Sequence, residues 1–301
     1  MANDAHPHSL GWKKWVVGAR PRTLPAAVVP VAVGGACASE IHAGSWWRLA
    51  LAAVVSLALQ VGVNYANDYS DGVRGTDEVR VGPLRLVGSG VASAQSVKIA
   101  AFVAFGVAAV AGSVLAVSTT MWLIAVGVAA IVAAWTYTGG PRPYGYAGFG
   151  ELFVFIFFGV VATIGSEFVV AEQITSTAVI ASIAVGVFAC SLLVVNNLRD
   201  IPGDTVAGKN TLAVRLGDAR TRKFFALLIV VAALAIIGTA FSAGPMALAG
   251  LVGVIAVRPA LNDIGRGAKG PQLIPVLGAV GRAQMILAVT YSVGIAMALH
   301  S

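Results

Sequence analysis

Charge is what this sequence has least of. Only 11% of its 301 residues are Asp, Glu, Lys or Arg, against about a quarter in soluble domains, and that excludes an ordinary water-soluble globule. Cysteine is nearly absent: Cys37 and Cys190 both stand inside apolar runs, where a thiol acts as a small hydrophobe and a disulfide framework has no role. His6, His8, His42 and His300 lie near the termini or in a short turn, so a catalytic imidazole is not expected. Acids are scarcer than bases, 13 against 20 Lys and Arg. The net charge of +7 does not point to nucleic acid, because the basic residues are spread between apolar runs instead of gathering on one soluble face.

What is abundant is apolar length: 58% of the residues are hydrophobic and the mean hydropathy is +0.86. Runs long enough to cross a bilayer, which takes about 20 residues, occur near 23–42, 46–66, 97–117, 119–137, 149–170, 176–198, 223–242, 243–260 and 275–299. No strict alternation appears, so these are helices, the one open-ended structure that satisfies its own backbone in lipid. The expected fold is therefore all-α, a polytopic membrane bundle of nine helices forming a single domain over 1–301. Eighteen of the twenty Lys and Arg fall in the N-terminal segment 1–22 or in the even-numbered connections. The positive-inside rule then puts the N-terminus in the cytoplasm and the C-terminus outside. Trp12 and Trp15 read as interfacial anchors of an uncleaved N-terminal segment. Two cytoplasmic connections, about 67–96 and 199–222, are long, and long loops carry function.

Those connections hold most of the acids. One reads Asn67-Asp68-Tyr-Ser-Asp71-Gly-Val-Arg74-Gly75-Thr-Asp77-Glu78, the other Asn196-Asn197-Leu-Arg199-Asp200-Ile-Pro-Gly-Asp204. At a spacing of four, Asn67 with Asp71 and Asn196 with Asp200 share a helix face. Close-set carboxylates need a cation, and Asp and Asn oxygens suit a hard one such as Mg²⁺, which is commonly held together with substrate phosphates. Arg74, Arg85, Arg199 and Lys209 can neutralise a diphosphate. The plain alternative is that these acids solvate loops and pair with neighbouring bases.

The residues resemble the UbiA superfamily of intramembrane prenyltransferases, whose motifs of the form NDxxDxxxD and DxxxD correspond to Asn67-Asp68-x2-Asp71 and Asp200-x3-Asp204. The last Asp of the first motif is Gly75 here, with Asp77 two residues on, a pattern similar to the dihydroxynaphthoate branch of the family. Arg20-Pro-Arg22-Thr-Leu-Pro, Gly82-Pro-Leu-Arg85-Leu-Val-x-Ser89-Gly90 and Tyr137-Thr-Gly-Gly-Pro-x-Pro-Tyr144-Gly-Tyr146-x-Gly-x-Gly-Glu151 resemble the same branch. The resemblance implies Mg²⁺-dependent transfer of a polyprenyl chain from its diphosphate to 1,4-dihydroxy-2-naphthoate in menaquinone synthesis, with loss of carbon dioxide and pyrophosphate, at a bacterial plasma membrane. It implies metal and catalytic roles for Asp68, Asp71, Asp200 and Asp204, joined by Asn67 and Asp77 at the metal. Diphosphate contacts fall to Arg74, Arg85, Arg199, Lys209 and Asn197.

Arg22, Asn64, Tyr144, Arg142 and Glu151 are the candidates for holding the ring acceptor, although any Arg before a first span also satisfies the positive-inside rule. Phe153, Phe155, Phe157 and Phe158 can face a carbocation or simply contact lipid. Gly62, Gly106, Gly127, Gly159 and Gly186 read as close-packing positions. A secondary transporter would carry its acids near the midplane, whereas these sit toward one face. Transfer to 4-hydroxybenzoate or haem is the alternative within the superfamily.

Overall fold

A computed structural model describes residues 11–38, 45–75 and 84–299. Its order is α1 (Lys13–Gly18), α2 (Pro25–Cys37), α3 (Trp46–Val73), α4 (Ala94–Ser118), α5 (Trp122–Thr136), α6 (Gly150–Ala171), α7 (Ser176–Val206), α8 (Leu212–Ala243), α9 (Pro245–Gly265) and α10 (Gly270–Leu299). Among the described residues there is no strand. Seven helices, α3, α4 and α6 to α10, are long and apolar enough to cross a membrane, and α2 and α5 are shorter apolar helices.

Local chemistry sets several boundaries. Ser93, Thr175 and Thr211 cap α4, α7 and α8, each accepting from a backbone N–H three residues on. Pro25 and Pro245 stand in the first turns of α2 and α9, where a missing N–H loses no bond. Gly217, at φ 74°, breaks α8 one turn after its start, a conformation that favours glycine.

The helices outrun their apolar stretches at one end. Asn67 and Asp71 lie within α3 and Asn196 to Asp204 within α7, so the acid motifs expected in loops occupy the last turns of helices. The reason is that a helix satisfies its own backbone in water or in lipid, and polarity of the side chains alone does not end it.

The bundle is centred on α7, whose Ala178, Ala181, Val185, Phe188 and Val195 are buried against α2, α8 and α10. On α4, by contrast, Val103, Val110 and Val117 form an outward stripe with 61%, 69% and 79% exposure. Such a row is stable against lipid, not water. Trp46, Trp47 and Trp122 are exposed at one end of α3 and α5, as interfacial aromatics are. Trp12 is likewise exposed, but Trp15 turns inward: its carbonyl accepts from Tyr65 Oη at 2.7 Å, and the two rings meet edge to face at 5.9 Å. At the Trp46 end, Arg48 donates to Glu172 Oε1 at 2.6 Å and to the carbonyls of Ser118 at 2.7 Å and Val169 at 3.4 Å, tying α3, α4 and α6 together.

The glycines divide. A Cβ on Gly159 would collide with Gly186 Cα, and one on Gly62 with the Phe105 ring, whereas Gly127 and Gly106 face open space. Gly62, Gly159 and Gly186 are packing positions as expected; Gly106 is instead exposed, and Gly127 lines a cavity. Replacing Gly159 by Leu is expected to destabilise the protein by about 1–3 kcal/mol through overpacking, while Gly106→Leu leaves the thermal midpoint in detergent unchanged; unfolding monitored by circular dichroism checks both.

Candidate active site

A cavity of about 860 Å³ opens between α2, α3, α5, α6 and α7. Its far end reaches Leu115 and Leu123, at the ends of α4 and α5 beside the Arg48 cluster, and its near end is lined by Asn67, Asp71, Asp200 and Asp204. The space therefore runs most of the depth of the bundle, apolar for its length and charged at one mouth.

Helical spacing builds that mouth. Gln60, Asn64, Asn67 and Asp71 recur on one side of α3, and all four line the cavity; Asn196, Asn197, Asp200 and Asp204 face it from α7. One acid on each helix, Asp71 on α3 and Asp200 on α7, is held by cations. Asp71 accepts from Lys209 Nζ at 3.0 Å and stands 3.9 Å from Arg85. Asp200 receives Arg199 on both oxygens, at 2.7 and 2.8 Å, and the same guanidinium reaches Asn196 Oδ1 at 2.8 Å. Among the described residues, no three His, Cys, Asp or Glu side chains stand close enough to hold one metal ion. Asp77 and the four histidines lie outside the described residues.

Between the helices sits a residue the sequence did not single out. Tyr146 donates its hydroxyl to Asp71, and its ring lies under two cations, Lys209 at 4.6 Å and Arg74 at 5.3 Å. Burial, and next the Asp71 carboxylate, push the Tyr146 hydroxyl above its ordinary value, which keeps it protonated and donating. Thr138 Oγ1 also donates to Asn67 Oδ1 at 2.8 Å. Both residues fall in the stretch 137–151 already notable for its Tyr, Gly and Pro pattern, but nothing in spacing reveals their partner.

Four expected site residues stand away from the cavity. Asp68 is fully buried, and its oxygens accept the backbone N–H groups of Leu86 at 2.9 Å and Val87 at 3.1 Å. It holds the 84–92 segment on α3, because it lies about 100° around the helix from Asn67. Arg74 donates to the carbonyls of Thr138 and Gly140 and so latches α3 to the connection after α5. Arg142 is exposed and touches no part of the cavity. Glu151 is buried behind the wall, where its Oε1 accepts from Asn197 Nδ2 at 3.0 Å; it orients Asn197. Arg22, Asn64 and Tyr144 do line the cavity.

The wall beyond the mouth is aromatic. Tyr144 stacks on Phe153 at 3.9 Å, and Phe153 on Phe157 at 6.1 Å. Phe158 joins this wall, but Phe155 packs on Gly186 instead.

Replacing Asp68 by Ala is expected to destabilise the protein by about 2–3 kcal/mol, since two buried N–H groups lose a charged acceptor, and to expose the 84–92 segment to limited proteolysis. Asn in its place costs less. Thermal melts with peptide mapping check both effects.

Residues 27–262 match the UbiA prenyltransferase family. The 1,4-dihydroxy-2-naphthoate octaprenyltransferase of Mycobacterium tuberculosis is 50% identical over 275 residues, covering 91% of this chain and 94% of that protein. In three dimensions the chain is similar to a UbiA homologue from Aeropyrum pernix K1 in its apo form, with a TM-score of 0.71 at 15% identity over 90% of this chain and 97% of the other. A UbiA homologue from Archaeoglobus fulgidus bound to GPP and Mg²⁺ gives 0.65 at 13% identity, with 94% and 99% covered. These distant structures share the fold, and the family match spans most of the chain. An all-helical membrane bundle with a long cavity, its charged mouth built from two acid-bearing helix ends, thus belongs to the UbiA prenyltransferase family.

Proposed function

We propose that this protein transfers a polyprenyl chain from its diphosphate to 1,4-dihydroxy-2-naphthoate, releasing carbon dioxide and pyrophosphate, in menaquinone synthesis. The observation that carries the reading is the pairing of a charged mouth, where α3 and α7 meet, with a long apolar cavity behind it. That is the shape of a molecule with a diphosphate head and an isoprenoid tail. The relative at 50% identity, a 1,4-dihydroxy-2-naphthoate octaprenyltransferase, supports the choice of acceptor.

The donor set fits a hard divalent cation: Asn67, Asp71, Asp200 and Asp204 offer only oxygen and line one cavity mouth. No three of the described acids stand together, so Asn67 and Asp71 from α3, or Asp200 and Asp204 from α7, joined by Asp77, would hold Mg²⁺ in concert with the diphosphate's own oxygens. A bound Mg²⁺ supplies charge that stabilises the leaving diphosphate. Lys209, Arg85 and Arg199, with the Asn197 amide, donate to phosphoryl oxygens as the allylic C–O bond breaks and its electron pair leaves with the diphosphate. Tyr144, Phe153 and Phe157, stacked along the cavity wall, exclude water from the allylic carbon. The electron-rich naphthoate ring then forms the new C–C bond, and its C–COO⁻ bond breaks to release carbon dioxide, the electron pair returning to the ring. Arg22, Asn64 and Tyr144 stand on the acceptor's side of the mouth.

The same reading makes α2 to α10 nine membrane helices. It places the N-terminus and the charged mouth in the cytoplasm and the C-terminus outside a bacterial plasma membrane, with lipid around the Val103–Val117 stripe. The basic residues along the N-terminal segment and the connections at the mouth's end support that orientation.

Asp200→Asn is expected to lower Mg²⁺-dependent turnover at least about 100-fold while the protein remains inserted and folded; full activity in this variant overturns the site. Mass spectrometry of products from purified protein, Mg²⁺, a polyprenyl diphosphate, and 1,4-dihydroxy-2-naphthoate competing with 4-hydroxybenzoate checks the acceptor. A decarboxylated, prenylated naphthoquinol is the expected product, and prenylated hydroxybenzoate alone overturns the naphthoate assignment.

A further inference from the structure

Five cations among the described residues line the cavity: Arg20, Arg22, Arg85, Arg199 and Lys209. Three are bound to carboxylates, Arg85 and Lys209 to Asp71 and Arg199 to Asp200. Neither Arg20 nor Arg22 has a carboxylate within salt-bridge distance among the described residues. Of these two, Arg22 is exposed, whereas Arg20 is half-buried and built into the wall.

The construction around Arg20 is unusual. Its backbone is left-handed, φ 51° and ψ 71°, one of two non-glycine residues with positive φ among those described. Such a conformation costs about 1–3 kcal/mol and persists where the surroundings hold it. Here they do. The Arg20 carbonyl accepts from Thr23 N and Thr23 Oγ1, both at 2.9 Å. Asn64 Nδ2 donates to Ala19 O at 2.8 Å and to Thr23 Oγ1 at 3.0 Å, and Gln60 Nε2 reaches that hydroxyl at 3.2 Å. The guanidinium itself makes one long contact, 3.4 Å to Asn64 O, so most of its donor fork remains for something in the cavity. Asn64 precedes Asp71 by seven residues on α3, about 10 Å at 1.5 Å per residue. That is room for an aromatic bicycle between the guanidinium and the diphosphate end.

We infer that Arg20, and not Arg22, binds the carboxylate of the aromatic acceptor and so sets its orientation and the requirement for an acidic ring. The inference rests on the naphthoate reading above. A planar guanidinium binds a carboxylate through two parallel hydrogen bonds, and the strained turn aims it into the cavity before the ligand arrives.

Arg20→Gly is the informative variant, because glycine adopts the left-handed turn without strain and only the side chain is lost. KM for 1,4-dihydroxy-2-naphthoate is expected to rise about 10- to 100-fold, as for the loss of a charge-assisted bidentate contact, with KM for the polyprenyl diphosphate within about twofold of wild type. Arg20→Lys is intermediate. A parallel arm needs no turnover: competition of 1-hydroxy-2-naphthoate and of 1-naphthol with a fluorescent naphthoate probe. The wild type is expected to prefer the carboxylate, and Arg20→Gly to lose that preference while its melting temperature is unchanged. Unaltered preference and unaltered naphthoate KM in Arg20→Gly overturn the assignment to Arg20. A wild type that binds 1-hydroxy-2-naphthoate in preference to 1-naphthol yet never prenylates dihydroxynaphthoate overturns the proposed function alone.

Discussion

The pairing of Lys209 with Asp71 is the contact on which the rest of the mouth depends. Their sequence positions are 138 apart, and they join the end of α3 to the turn after α7. Both side chains are at least nine-tenths buried. A carboxylate there without its cation would carry an uncompensated charge, which costs more than the pair contributes. Tyr146 lies between them in function as well as place: its hydroxyl serves Asp71 and its ring serves Lys209. The backbone carbonyl of Tyr146 in turn accepts from Asn210 N at 2.9 Å, so the connection after α5 is stitched to the connection after α7. Arg74 completes the ring from α3. Three separate chain segments are therefore fixed around one carboxylate, and the cavity mouth has a defined width before any ligand binds.

How much of this could be read from the sequence depended on what kind of signal each residue gives. Apolar runs announce membrane helices because nothing else tolerates so many consecutive apolar residues, and every expected span coincides with an apolar helix. Their ends were less legible. Polar residues beginning at Asn64 look like a loop in composition, yet α3 continues to Val73, since helical backbone needs no lipid. Spacing of four correctly brought Asn67 and Asp71 to one side. The same geometry counts against Asp68, one residue round the helix, whose acid serves Leu86 and Val87. A motif written as a string of letters gives Asp68 and Asp71 equal standing, and only the helical angle separates them. Tyr146, Thr138 and Arg20 were beyond reach for a different reason: their roles come from partners far along the chain.

Arg142 and Arg22 illustrate the ambiguity of isolated bases. Each satisfies the positive-inside rule, and sequence alone cannot distinguish topology from chemistry for either one. Both are exposed, and only Arg22 lines the cavity; Arg20, two residues before it, is by contrast gripped by a hydrogen-bonded cluster of Gln60, Asn64 and Thr23. Effort spent on holding a backbone in an unfavourable conformation distinguishes a built position from an incidental one.

The middle of α6 shows how a single element can close one side and open the other. Between Phe155 and Val161 the helix takes the wider π geometry, a feature that recurs at functional sites. On one side of this stretch Gly159 meets Gly186 so closely that neither tolerates a side chain, which draws α6 against the central helix. On the other, Phe157, Phe158 and Val161 line the cavity, continuing the stack begun by Tyr144 and Phe153. A regular α-helix turns 100° per residue, and the extra residue per turn in the π segment resets that phase. The phase shift allows Phe155 to pack on Gly186 while Phe157 and Phe158 line the cavity. Close contact and open wall thus arise from the same local distortion, and the aromatic surface is held rigidly because the opposite side of the helix has no freedom to move.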